Sequence, residues 1–171
     1  MHLPRTTRFA ALTTLALLAG SPLARADDCN TGGFEWSRTT PAINVRSIFC
    51  GEIKGPRVAG FHSTQLRSSS VVTSIGHKSS QHQGIYTASV TFKSGRSKWS
   101  TFFPDHCSYD QIVASVVHAA NDRQGDAQPW GIWGWSGTDG DAGQCMNSEG
   151  KRFKIRMGVQ DDKVTTAFPM D

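Results

Sequence analysis

No apolar run in this 171-residue chain is long enough to cross a bilayer. The one apolar stretch, residues 9–18, is broken by Thr13 and Thr14 and falls well short of the ~20 residues a spanning helix needs. There is no CxxC, no HExxH and no close Cys/His cluster, which argues against a zinc site. Gly134-Trp135-Ser136-Gly137 fails as a nucleophile elbow, because Thr138 stands where the second glycine is required. Phosphate-binding loops and dinucleotide fingerprints are missing as well, and so are internal repeats and blocks of like charge. These absences remove membrane-spanning proteins, zinc hydrolases, elbow-type serine hydrolases and nucleotide-binding folds from consideration.

The start of the chain is a different matter. Residues 1–26 read as a secretory signal peptide: Arg5 and Arg8 give a positive beginning, a short apolar segment follows, and Ala24-Arg25-Ala26 supplies small residues at the cut. Residues 27–171 then form a single domain of comfortable size. The full chain carries 18 basic and 14 acidic residues, a net +4 that would suggest a nucleic-acid binder. Arg5, Arg8 and Arg25 leave with the leader and no acidic residue does, so 15 basic residues face 14 acidic ones, a balance of +1. Net charge is therefore no evidence for RNA binding, and any basic patch must come from local clustering.

All four cysteines, Cys29, Cys50, Cys107 and Cys145, follow the leader. An even count in an exported chain implies two disulfides, with three pairings open. Asp27-Asp28 before Cys29 is unlike a lipoprotein box, so the expected product is periplasmic or secreted.

Along the chain, residues 45–53 read as a strand, followed by a turn at Lys54-Gly55-Pro56 and a short strand over residues 57–61. Residues 63–83 are rich in Ser, Gln and Thr, with Val71, Val72 and Ile75 as the apolar anchors, and read as an exposed loop around one short strand. Tyr86, Ala88, Val90 and Phe92 alternate, which predicts a half-buried strand, and residues 97–103 a further one. Ser108 with Gln111 three residues on is a capping-box pattern. Ile112, Val113, Val116, Val117 and Ala120 then recur at helical spacing, predicting a helix over residues 108–120. Residues 125–144, with Trp130, Trp133 and Trp135, read as loop-rich; Phe153, Ile155, Met157 and Val159 open a terminal hairpin turning at Asp161-Asp162. Many strands with one main helix packed on them is α+β.

What remains for chemistry is a set of separate polar residues near strand ends: Ser47, Glu52, His62, Lys98 and Thr166. The run Ser47-Ile48-Phe49-Cys50-Gly51-Glu52, followed by Gly60-Phe61-His62, resembles the paired-histidine hairpin of EndoU-type endoribonucleases. That pattern reads His-hydrophobe-x-x-Gly-Glu and then Gly-Phe-His. Lys98-Trp99-Ser100-Thr101-Phe102-Phe103-Pro104-Asp105 resembles the catalytic-lysine strand and helix start of the bacterial form, and Thr165-Thr166-Ala167-Phe168-Pro169 the terminal strand. The four motifs occur in order and span residues 42–169.

The resemblance implies a fold of two small antiparallel sheets with one main helix, and metal-independent cleavage of RNA next to uridine, without a cofactor. In such a reaction the ribose 2′-OH attacks the adjacent phosphate, leaving a 2′,3′-cyclic phosphate and a free 5′-OH. Imidazole suits the proton transfers because its pKa lies near neutrality, and a fixed cation stabilises the charge building on phosphoryl oxygens. The mapping makes His62 and Lys98 catalytic and Thr166 and Phe168 substrate-binding. Ser47 occupies the first histidine's position, and losing one general acid or base typically costs ~10²–10⁴-fold in rate. Phe168 stands where the family has tyrosine, so a ring remains for stacking but a hydroxyl is lost. His77, His82 or His106 are candidates to fill the vacancy at Ser47.

Each residue also has a plainer reading. His62 could be an ordinary strand-end histidine, Lys98 an exposed strand lysine with Lys93 or Arg96 serving instead, and Thr166 a β-former. Glu52 reads as a structural hydrogen-bond partner and His118 as a packing or capping group. Cys50 and Cys107 read as disulfide halves, and the tryptophans as packing on a sheet edge rather than as base-stacking platforms. Expected partners are uridine-containing RNA and an immunity protein, for a monomer with no membrane contact. The rival expectations are a catalytically silent module of the same fold that binds RNA or protein, and a disulfide-braced envelope protein unrelated to RNA.

Overall fold

The computed structural model describes residues 29, 30, 32, 33, 35–126 and 131–170; the expected leader and Trp130 lie outside them. The strand expected over residues 45–53 is instead a short helix, α1 (Val45–Phe49), followed by strand β1 (Glu52–Lys54). Two local signals decide for the helix. The Asn44 side chain caps it, accepting from the Ser47 amide at 2.8 Å. Val45, Ile48 and Phe49 fall at i, i+3 and i+4 and are all buried. Gly51, at φ +71°, then ends the helix in the left-handed region that glycine tolerates.

β1 pairs with β2 (Arg57–Ala59) across the expected turn, and Gly55 takes φ +56° there. The chain then doubles back onto α1. The amides of Phe61 and His62 donate to the carbonyls of Ser47 and Ile48, each at 2.7 Å, and so satisfy groups the short helix would leave open. The close approach needs a glycine: a Cβ on Gly60 would sit 2.1 Å from the Ser47 carbonyl oxygen, and φ there is +68°.

Residues 63–83 contain more regular structure than expected. After a 3-10 turn at Arg67–Ser69, β3 (Val72–His82) runs for 11 residues along the edge of a sheet ordered β3-β4-β5. Its exposed residues and three register shifts explain why no alternation betrays it: pairing to β4 (Ile85–Phe92) holds it, with apolar burial confined to Val72 and part of Ile75 at its start. β4 buries Tyr86, Ala88, Val90 and Phe92 as expected and pairs with β5 (Ser97–Phe102). These residues, Phe61, Val72 and Phe102 form one hydrophobic cluster. Asp105 accepts from the Tyr86 hydroxyl (2.7 Å), Thr64 (3.2 Å) and Lys78, fastening this sheet to the segment before the main helix.

That helix, α2 (Tyr109–Asn121), has the full capping box: the Ser108 hydroxyl accepts from the Gln111 amide and the Gln111 side chain accepts from the Ser108 amide. It packs on a four-stranded sheet of β6 (Arg123–Asp126), β7 (Ile132–Trp135), β8 (Lys154–Gln160) and β9 (Lys163–Pro169), antiparallel throughout. The β8–β9 hairpin matches expectation. Within the loop-rich residues 125–144, the end of β6 and the whole of β7 are strand and residues 136–144 carry none; with Gly134 between two tryptophans, β7 shows little alternation. Gly134 has to be glycine, since a Cβ would meet the Ala119 carbonyl of α2 at 2.1 Å. His118 donates from Nδ1 to the Trp135 carbonyl (3.0 Å), adding a polar tie between α2 and β7.

The class is α+β with one main helix, and the β1–β2 hairpin forms a third sheet of its own. The open question of pairing closes on Cys29–Cys50 and Cys107–Cys145, all four cysteines belonging to the larger cluster between α1, α2 and the four-stranded sheet.

Candidate active site

Four parts of the fold contribute to one seam, where α1 and β9 meet β5. Ser47 comes from α1, His62 from the segment leaving the hairpin, Lys98 from β5, and Thr166 and Phe168 from β9. The Ser47 hydroxyl donates to Thr166 Oγ1 at 3.3 Å. The His62 ring stacks on Phe168, centroids 5.2 Å apart and planes 25° off parallel. Lys98 Nζ donates to the Gly60 carbonyl at 3.0 Å, two residues before His62, and to Ser100 Oγ at 2.5 Å. The five residues thus fall into three neighbouring contacts, Ser47 with Thr166, His62 with Phe168, and Lys98 with Gly60 and Ser100.

His62 is 6% exposed. Its Nδ1 lies 2.8 Å from the Thr101 carbonyl, which can only accept, so Nδ1 carries the proton and Nε2 keeps a lone pair. Burial, and then the nearby Lys98 charge, lower its pKa from 6.5 to about 3, with the Thr101 hydrogen bond opposing in part. The ring is neutral at ordinary pH, and in this setting a weaker base than an imidazole that titrates near neutrality. Burial likewise lowers Lys98 from 10.5 to about 8, so its ammonium is held in a partly dry setting where it interacts strongly with anions.

Two contributors escaped the sequence reading. Ser100 is buried and bridges Lys98 to Gly60, its hydroxyl 3.3 Å from the Gly60 carbonyl. Its place two residues after Lys98 on a strand, hence on the same face, was the available signal. Thr101 acts through its backbone, which no side-chain pattern could reveal. Of the spare histidines, His77 and His82 lie exposed on β3. His106 bonds through Nε2 to the Met146 carbonyl (3.0 Å), beside a cleft lined also by Gln111, Asp141 and Asn147. The Ser47 hydroxyl goes to Thr166 rather than to any of them. Glu52 pairs with Lys54 at 3.0 Å within the hairpin, in keeping with a structural role. Among the described residues no group of three His, Cys, Asp or Glu side chains could hold a metal.

A family model described as bacterial EndoU nuclease matches residues 42–171. The chain belongs to that family. No curated protein and no solved structure matches it. The EndoU match begins just before α1 and runs through β9, so it takes in all five candidate residues and leaves Cys29 outside. No helix among the described residues is long and apolar enough to cross a membrane.

Proposed function

We propose that this EndoU protein is an exported RNA endonuclease that cleaves next to uridine by transesterification. The reading rests above all on a neutral, solvent-shielded imidazole with a free Nε2 beside a partly buried ammonium. The 2′-hydroxyl gives its proton to His62 Nε2 as its oxygen bonds to the adjacent phosphorus. The bond from phosphorus to the 5′-oxygen breaks, leaving a cyclic phosphate. Lys98 stabilises the charge on the non-bridging oxygens, with Gly60 and Ser100 fixing its position. Thr166 and Phe168 hold the uracil by hydrogen bond and stacking. With serine at position 47 the departing 5′-oxygen takes its proton from water, so the reaction is slow. The two disulfides support export into an oxidising compartment.

Ser47, buried and bonded to Thr166, also supports a second reading: a catalytically silent domain that binds RNA. The test is incubation with uridine-containing RNA in EDTA, scoring cyclic-phosphate ends. Cleavage is expected to vanish in His62→Ala and to rise ~10²-fold or more in Ser47→His. Salt-sensitive RNA affinity without any cleavage would establish the silent reading instead.

A further inference from the structure

Residues of the four-stranded sheet alternate between its two faces. Ile132, Gly134, Ile155, Met157 and Ala167 face α2 and the core; Trp133, Trp135, Lys154, Arg156, Thr166 and Phe168 face the other way. On that outward face, Phe168 of β9 lies opposite Arg156 of β8, which lies opposite Trp133 of β7, and Trp135 lies opposite Lys154. A line of rings and cations thus starts at the two candidate base contacts and crosses the sheet.

The cations sit against the rings. Lys154 Nζ lies 4.6 Å from the Trp133 centroid and 5.7 Å from that of Trp135, and the Arg152 guanidinium lies 4.4 Å from Trp135. The two indoles meet edge to face at 5.9 Å. Among the described residues, none of the Arg152, Lys154 and Arg156 side chains forms an ion pair with a carboxylate, though the Arg152 backbone amide donates to Asp139 Oδ1 at 2.7 Å. Arg156 Nε is buried without any hydrogen-bond partner. Here is the local clustering of charge that the near-neutral total concealed.

We infer that the outward face of this sheet is an extended RNA subsite: Trp133 and Trp135 stack bases, and Arg152, Lys154 and Arg156 hold phosphates of nucleotides flanking the reacting uridine. The inference rests on the RNA reading of the neighbouring site. Single-stranded RNA is favoured because stacking platforms interleaved with unpaired cations match its alternating bases and phosphates. The face is also continuous with Thr166 and Phe168. Two strand spacings, ~10 Å, separate Phe168 from Trp133. At ~3.4 Å per stacked nucleotide, that reaches the second or third nucleotide from the uridine.

The test titrates the mature protein with a fluorescent uridine-containing RNA of about eight nucleotides, carrying 2′-fluoro at the uridine so that it cannot be cleaved. Trp133→Ala is expected to weaken binding ~10-fold, and Trp133→Phe, which keeps a ring, to restore most of it. Arg152→Glu with Lys154→Glu, both at exposed positions, should weaken binding and flatten the slope of log K against log salt by ~0.7 for each phosphate no longer neutralised. Should all these variants bind as tightly as the parent while cleavable RNA is still cut, the subsite is refuted and the proposed chemistry stands. Should they lose affinity in a protein that cuts nothing, the subsite stands and the chemistry falls. A parent protein without affinity for RNA overturns both.

Discussion

With a folded pKa of about 3 against 6.5 in water, His62 holds a proton more weakly in the folded protein than in the unfolded chain. The unfolded state therefore binds more protons throughout that window, and stability falls as pH falls from 6.5 towards 3. The full shift corresponds to about 4–5 kcal/mol for a fully buried group. Urea midpoints measured from pH 7 to pH 4 should drop more steeply for the parent than for His62→Gln, which cannot take up that proton. Activity should show the complementary signature. His62 stays neutral well into acid, so kcat/KM has no acidic limb near 6.5. Lys98 loses its charge above about pH 8, and kcat/KM declines from there. Lys98→Arg, which stays charged, should retain what activity it has through pH 9; an alkaline limb unchanged in that variant would remove Lys98 from the role of cation.

The hairpin and α1 show how much depends on backbone approach. Gly55 and Gly60 both take positive φ, but a Cβ on Gly55 meets nothing within 4 Å whereas one on Gly60 meets the Ser47 carbonyl. Gly55→Ala should cost about 1 kcal/mol from conformation alone, and Gly60→Ala at least ~2 kcal/mol, together with loss of cleavage as His62 moves off α1. Thermal melts and the EDTA cleavage assay on the two variants make the comparison. The same two elements mark where the sequence could be read and where it could not. β4, α2 and β8 were legible because each repeats its core-facing residues at a fixed period over seven or more positions, and β9 followed from the turn at Asp161-Asp162. α1 was not, because five residues hold little more than one period and its β-branched Val45 and Ile48 suit a strand equally well. β3 was hidden by its exposed edge. At the candidate site, His62, Lys98 and Thr166 were proposed from ordered motifs. Ser100 and the Thr101 carbonyl act on neighbours through geometry that no single motif encodes.

The two hydrophobic clusters divide the molecule unequally. All four cysteines lie in the cluster beneath the four-stranded sheet, and the three-stranded sheet has none. Loop closure across sequence separations of 21 and 38 is worth about 3 and about 4 kcal/mol in the chain-entropy picture. Reductant should accordingly lower the melting temperature markedly, by more in Cys29→Ala with Cys50→Ala, where Cys107–Cys145 is the bridge left to break, than in the doubly substituted Cys107→Ala, Cys145→Ala protein. A drop of equal size in both would contradict the dependence on loop length. Lys98 stands on the unbraced half, while Ser47 and Thr166 stand on the stapled one. The candidate site thus straddles a joint whose two banks differ in toughness. Warming or mild denaturant would part Lys98, and the Thr101 carbonyl that holds His62, from Ser47 and Thr166 while most of the secondary structure persisted, and cleavage would be the first thing such a molecule forfeits.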